Sequence, residues 1–342
     1  MKKEKLVIFE AGITVFLLVL TGLPTNSNPN VSIEQATKIA VDTLLYPTCE
    51  GVAAVMYTEN PDKIIVMVES EKYASLIPKQ IEGFDTQVVV SGRIYALGYH
   101  DQQQSVELSE GGGGLPLRLS RTAHWPLLAG GISFGNAYST SWTGTLGVCY
   151  TSGTSSYLVS CAHVIAMDNN GNFIPTGQNT RVYQPAKCYA GNTNVGYLYS
   201  YIPIVFNNNN YWNYADAAKA LCTHLPIGNK YEVRADNNGY YSVSFTTTLP
   251  AAGQTVRLSG TTSGVATNTV YGTSATCTIW YTSTKWARYM DVIFVNRPFA
   301  QPGDSGSFVD KNGYFVGILF AQNGNYNVVC KAGYVKSGLG MP

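Results

Sequence analysis

Charge is what this 342-residue chain has least of: Asp, Glu, Lys and Arg make up 13% of it, about half the usual quarter. That scarcity argues against long charged helices and coiled coils. Charge of one sign is missing too, with 22 basic residues against 21 acidic and a net charge of +1. With no basic excess to neutralise phosphates, the sequence argues against nucleic-acid binding. None of the seven cysteines, Cys49, Cys149, Cys161, Cys188, Cys222, Cys277 and Cys330, stands in a C-x-x-C pair, so spacing offers no zinc or redox site. What fills the chain instead is 34 Gly and 24 Tyr, with many Asn, Ser and Thr, a mixture that suits strands joined by short turns. Apolar residues at 45% and aromatics at 12% argue against disorder, and the length fits about two domains.

A long hydrophobic run is also lacking. Lys2, Lys3 and Lys5 precede a mostly apolar stretch, residues 6–23, whose uncharged part runs only from 11 to 23 because Glu10 interrupts it. That is short of the about 20 residues that cross a bilayer and fits the core of a secretory signal, although no A-x-A-like cleavage site follows. Residues 1–30 therefore read as a signal peptide, or a membrane anchor through residues 6–23, with a polar spacer. The chain is then secreted or cell-surface anchored. A buried N-terminal strand or helix is the alternative.

Residues 31–100 read as a small α/β domain. Ser32 and Gln35 have capping-box spacing, and Ile33, Ala36, Ile39, Ala40 and Leu44 recur at helical spacing. Strands follow at 51–57 and 63–69, then a short helix near 72–76 and a last strand region at 84–97. Residues 101–122, with four consecutive glycines from Gly111 to Gly114, read as a linker. From 123 to 342, short apolar segments alternate with turn residues, which suggests an all-β barrel or sandwich with no helix longer than a turn or two. A hairpin at 145–164 sets Cys149 and Cys161 nearly opposite, so the pattern suggests a disulfide between them.

Three stretches in this β-rich region carry chemistry. Ser160-Cys161-Ala162-His163-Val164 places an imidazole just after an apolar strand. Tyr214-Ala215-Asp216-Ala217-Ala218 sets one carboxylate among small residues. Gln301-Pro302-Gly303-Asp304-Ser305-Gly306-Ser307 puts a serine in a tight glycine turn. A serine hydroxyl is a weak nucleophile and needs a base beside it. The oxyanion formed on attack needs backbone N–H groups, which glycines bring close. An imidazole accepts the serine proton, and a buried carboxylate fixes its tautomer. Asp168, Asp236 and Asp291 also lie between His163 and Ser305. The first two sit in polar turns, and Asp291, at the start of an apolar strand, is the serious rival to Asp216.

The three motifs, in the order His, Asp, Ser, resemble those of chymotrypsin-like (trypsin-superfamily) serine peptidases. Further details, at 77–83, Gly92-Arg93-Ile94, Gly144-Thr145-Leu146-Gly147 and Val256-Arg257-Leu258-Ser259-Gly260, are similar to a bacterial and plant branch with a small N-terminal α/β domain. The resemblance implies a mainly β fold, a double six-stranded barrel preceded by that α/β domain, and hydrolysis of a polypeptide substrate without metal or cofactor. Residue by residue it implies Ser305 as nucleophile, His163 as general base and acid, and Asp216 as orienting carboxylate. Gly303 and Ser305 would form the oxyanion hole. Phe299, six before the nucleophile, stands where trypsins carry an acidic residue, and Phe320, Ala321 and Gln322 in the next strand are neutral, which implies specificity for small or apolar side chains. Gly131-Ile132-Ser133 follows no basic cleavage residue, so the partner of Asp304 is open. The alternatives to a serine endopeptidase are a catalytically silent binding module of this fold and a serine esterase.

Overall fold

The computed structural model describes residues 31–45, 51–59, 61–98, 120–139, 143–223, 231–236 and 239–342. Contacts divide the chain into two compact units between Val90 and Ser91.

In the first unit, helix α1 (Ile33–Ala40) begins at Ser32, whose hydroxyl accepts from the Gln35 N–H at 3.3 Å while the Gln35 side chain accepts from the Ser32 N–H at 3.0 Å. This reciprocal cap is the one the S-x-x-Q spacing predicts. The helix runs on as a wider π turn, Val41–Leu45, which carries the buried stripe to Leu44 and Leu45. Strands β1 (Val52–Thr58) and β2 (Lys63–Val68) form an antiparallel hairpin. A single helical turn, α2 (Glu71–Ala74), and a two-residue strand, β3 (Gln80–Ile81), lead to β4 (Phe84–Val90), which returns parallel to β2. The expected strand region at 84–97 is two strands, because β5 (Ile94–Ala96) pairs instead within the second unit.

The second unit continues with β6 (Ile132–Asn136), β7 (Gly144–Leu146), β8 (Val148–Ser152), β9 (Ser155–Ser160), the one-turn helix α3 (Ala162–Ile165), β10 (Arg181–Gln184), β11 (Thr193–Tyr201) and β12 (Ala218–Cys222). These strands pair in the order β7-β6-β10-β11-β12-β9-β8, every pair antiparallel. Only Gly147 separates β7 from β8, so the two act as one interrupted strand and the sheet closes into a six-stranded barrel. The continuous strand expected at 145–151 is interrupted at Gly147, where no side chain fits: a Cβ there would stand 2.4 Å from the Gly306 carbonyl oxygen.

Next come the short strands β13 (Glu232–Arg234), β14 (Tyr240–Ser242) and β15 (Ser244–Thr247), then β16 (Thr255–Gly260), β17 (Gly264–Trp280), β18 (Trp286–Asn296), β19 (Phe308–Lys311), β20 (Tyr314–Gln322), β21 (Tyr326–Lys331) and helix α4 (Ala332–Leu339). Here the order is β16-β19-β20-β21-β18-β17, with β17 returning antiparallel to β16. The ring is closed and leaves no free edge among these six strands. Every strand of the ring sends aliphatic side chains into one buried cluster: Val256 and Leu258, Val270, Ile293 and Val295, Val309, Val316 and Leu319, and Val329. Each such burial is worth about 1.5–3 kcal/mol. The chain is thus mainly β, a chymotrypsin-like double barrel preceded in sequence by a small α/β unit.

Three expectations need correction. Cys149 and Cys161 are both free: Cys149 faces Leu158 across the hairpin, and Cys161 lies beyond the end of β9. The strand expected to reach Val164 stops at Ser160, and the chain coils into α3. Helix α4 was not expected, yet its buried Ala332, Val335 and Leu339 follow helical spacing and Gly340 ends it at φ 58°. Among the described residues, no helix is long and apolar enough to cross a membrane. The signal or anchor reading of residues 6–23, and most of the linker at 101–122, lie outside the described residues.

Candidate active site

His163 and Asp216 meet because their strands are neighbours. Ala218, the first residue of β12, pairs with Ser160, the last residue of β9. The segment just before β12 and the turn of helix just after β9 therefore leave the barrel at the same point. The His163 backbone N–H donates to Asp216 Oδ1 at 3.1 Å, and the ring Nδ1 lies 2.6 Å from Oδ2. A carboxylate there fixes the proton on Nδ1 and leaves the Nε2 lone pair exposed to the next group. That group is Ser305, whose Oγ is 2.5 Å from Nε2. His163, Asp216 and Ser305 are at most 1% exposed.

Ser305 sits in the turn before β19, held from several sides. The Thr145 N–H donates to the Ser305 carbonyl at 2.7 Å, the Thr145 hydroxyl donates to the Gly303 carbonyl at 2.9 Å, and the Gly306 N–H donates to the Leu319 carbonyl at 2.9 Å. Gly306 has φ 94°, and a Cβ there would come within 2.2 Å of Ser160 Oγ, so the close approach of the two backbones requires glycine. Asp304 finds its partners in the backbone: its carboxylate accepts from the N–H groups of Thr262 (2.7 Å), Gln301 (2.9 Å) and Ser263 (3.1 Å). Burial still raises its carboxyl above the ordinary range, against the pull of those donors. Among the described residues, no protein acceptor is paired with the N–H of Gly303 or of Ser305, the two donors expected to face an oxyanion.

The carboxylate has a further donor that the sequence did not reveal. Tyr281 OH donates to Asp216 Oδ2 at 2.7 Å, and Tyr289 OH lies 2.5 Å from Tyr281 OH. The one phenolic proton of Tyr281 is spent on the carboxylate, so Tyr289 must donate to Tyr281. Burial, and then the charge of Asp216, push both phenols well above their ordinary range, so both remain neutral donors. Nothing in sequence separates these two tyrosines from the other 22 of the 24.

The other aspartates are engaged elsewhere. Asp291 pairs with Lys331 at 2.5 Å and accepts from Tyr334 OH at 2.8 Å. Asp236 pairs with Arg121, and Asp168 accepts from Asn170 and Asn172 within its own turn. Cys161 joins His163 and Asp216 in a cluster of ligand-type atoms within 4.8 Å of one another. It does not suit a cation: burial holds the thiol protonated, its Sγ donates to the Leu319 carbonyl at 3.1 Å, and the other two groups share a proton.

Phe299, Phe320, Ala321 and Gln322 gather around a segment the sequence did not mark. Phe299 is buried in a cluster with Ala300 and Leu97. Ala321 pairs with Ala96 and Gln322 with Tyr95, while the Leu97 N–H donates to the Phe320 carbonyl at 2.9 Å. The Leu97 carbonyl oxygen stands 2.9 Å from His163 Nε2.

No protein-family profile matches the sequence, and no curated protein matches it. Solved structures similar to the chain include Thermobifida fusca Protease A, at 17% identity over 62% of this chain and 95% of that one, TM-score 0.44. The Nocardiopsis protease NAPase is 17% identical over 62% of this chain and 96% of that one, TM-score 0.42. An alpha-lytic protease homologue, N4, is 14% identical over 63% and 97%, TM-score 0.46. By its two closed barrels, this chain has the chymotrypsin-like fold that such bacterial serine proteases share.

Proposed function

We propose that the chain is a serine endopeptidase that hydrolyses peptide bonds through an acyl-enzyme. The observation that carries this reading is the unbroken series Ser305 Oγ, His163 Nε2, His163 Nδ1 and Asp216 Oδ2, with contacts of 2.5 and 2.6 Å. As Ser305 attacks a carbonyl carbon, its proton passes to Nε2, and Asp216 steadies the imidazolium. The negative charge that develops on the carbonyl oxygen is met by the Gly303 and Ser305 N–H groups. His163 then returns the proton to the leaving amine, and water, activated the same way, releases the acyl group. Every group this needs is a side chain or backbone N–H of the chain itself. The apolar surroundings of Phe299 and Ala300 favour a small or apolar side chain at the cleavage site. Residues 6–23 direct the chain out of the cell or hold it at the membrane.

The test is labelling of the folded protein with a fluorophosphonate, the modified residue being mapped by peptide mass spectrometry. Wild type is compared with Leu97→Lys, which disfavours occupancy of the cleft by the chain's own segment, and with Ser305→Ala. The expected result is one phosphonyl group on Ser305 in wild type, in Leu97→Lys or in both, and none in Ser305→Ala. Absence of label in both of the first two, with the fold intact by circular dichroism, overturns the reading and leaves a binding module. Labelled protein that cleaves a p-nitrophenyl ester but no peptide leaves an esterase.

A further inference from the structure

Two strands of the second barrel outrun their neighbours in the ring. β17 leaves β16 beyond the Thr255–Thr269 pair and continues beside β18 to Trp280. β20 leaves β19 beyond the Phe308–Ile318 pair and continues beside β21 to Gln322. Each overhang has a backbone edge that its ring neighbour does not cover, and such an edge is a template for another strand. β5 takes both: Tyr95 lies opposite Gln322 of β20, antiparallel, and opposite Trp280 of β17, parallel. The slot so filled ends at the imidazole. The Leu97 N–H donates to the Phe320 carbonyl at 2.9 Å, and the Leu97 carbonyl oxygen lies 2.9 Å from His163 Nε2. That carbonyl is on the ring and not on the N–H groups of Gly303 and Ser305, so residues 94–97 show how the slot grips a strand, not a bond under attack. The β17 side is held firm at its tip. The Asn207 N–H donates to the Trp286 carbonyl at 2.8 Å, and Lys285 Nζ donates to the Gly171 carbonyl at 3.0 Å. Asn207 and Gly171 belong to the first barrel's loops, between β11 and β12 and between α3 and β10.

We infer that a substrate, in place of residues 94–97, is held here on both backbone edges, by β20 on one side and by Ile279 and Trp280 of β17 on the other. The inference rests on the peptidase reading above. N–H and C=O groups alternate from edge to edge along a strand. With the Leu97 N–H on β20, the Tyr95 N–H turns to β20 as well, and those of Ile94 and Ala96 turn to β17. Ile94, Ala96 and Leu97 are at most 1% exposed, so a backbone group left unpaired at these places has no water to replace its partner. The substrate class follows: an extended segment with both edges free, as in an unfolded chain or an unpaired linker. An edge strand of a folded sheet, already paired on one side, does not enter. The β17 side also sets a sequence requirement. The residue that takes the place of Ala96, one before the acyl residue, must carry an N–H, which excludes proline there.

The test uses Ile-Tyr-Ala-Leu-p-nitroanilide, the sequence of residues 94–97, with the full-length wild type and Leu97→Lys. Three analogues are compared with it: one N-methylated at Tyr, one N-methylated at Ala, and one with Pro in place of Ala. The Tyr analogue reads the β20 edge, and the other two read the β17 edge. Each leaves a buried carbonyl of the slot without its donor, so kcat/KM should fall by about tenfold or more for all three. A loss for only one of the two methylated residues means a single gripping edge, and equal rates for all four peptides mean none. Either result overturns this inference while the peptidase reading stands. A phosphonyl label on Ser305 with none of the four peptides cut overturns it too, since the slot then belongs to β5 alone. No label and no cut peptide removes both.

Discussion

The two barrels close in different ways, and the difference follows what each contributes. The first closes only through a strand interrupted at Gly147, where the Gly306 carbonyl presses in. The second is an unbroken ring whose six strands share one aliphatic cluster. From the first come His163 and Asp216, the pair proposed to carry and steady a proton. From the second come Ser305 and the tyrosines that hold the carboxylate. The uninterrupted ring holds the Ser305 turn, and the first barrel is interrupted at Gly147, where that turn comes close.

The comparison is broken most directly at Asp216. Asp216→Asn keeps the shape but loses the carboxylate that fixes the Nδ1 proton, and by analogy with other such triads peptide cleavage should fall by about 10⁴-fold. Steady-state kinetics on a peptide substrate read this, and a loss under about tenfold would mean the first barrel supplies no orienting group. Tyr281→Phe tests the second barrel's share. It removes the one hydroxyl that donates to Oδ2 and keeps the ring. We expect about a tenfold loss of kcat, in line with a hydrogen bond to a charged group. An unchanged kcat would make Tyr281 a packing residue only.

The smallest effect is on thiols. Burial pushes Cys149 and Cys161 in the first barrel, and Cys277 and Cys330 in the second, far above the ordinary range, Cys330 to about 12. In iodoacetamide near pH 8 the exposed Cys188 should react first and these four only as the protein opens. If the pair in one barrel reacts ahead of the other, that barrel opens more easily.

The sequence carried the architecture where local chemistry decides it. Gly303 and Gly306 mark a turn that only glycine allows, and the S-x-x-Q cap starts α1 where it is found. It did not carry what depends on distant pairing. Residues 84–97 have one continuous strand-like pattern, and nothing in them tells that the last part pairs with β20 rather than extending β4. Tyr281 and Tyr289 are ordinary tyrosines until the β17–β18 hairpin brings them to Asp216. Cys149 and Cys161 would be partners only if the hairpin ran past Ser160, and the chain coils into α3 there instead.

Asp304 bears on timing. Its carboxylate is satisfied by the N–H groups of Thr262, Ser263 and Gln301, all of them present as soon as the polypeptide has folded. The loop that carries Ser305, the proposed nucleophile, therefore takes its shape from the fold itself, with no freed chain end needed to neutralise Asp304.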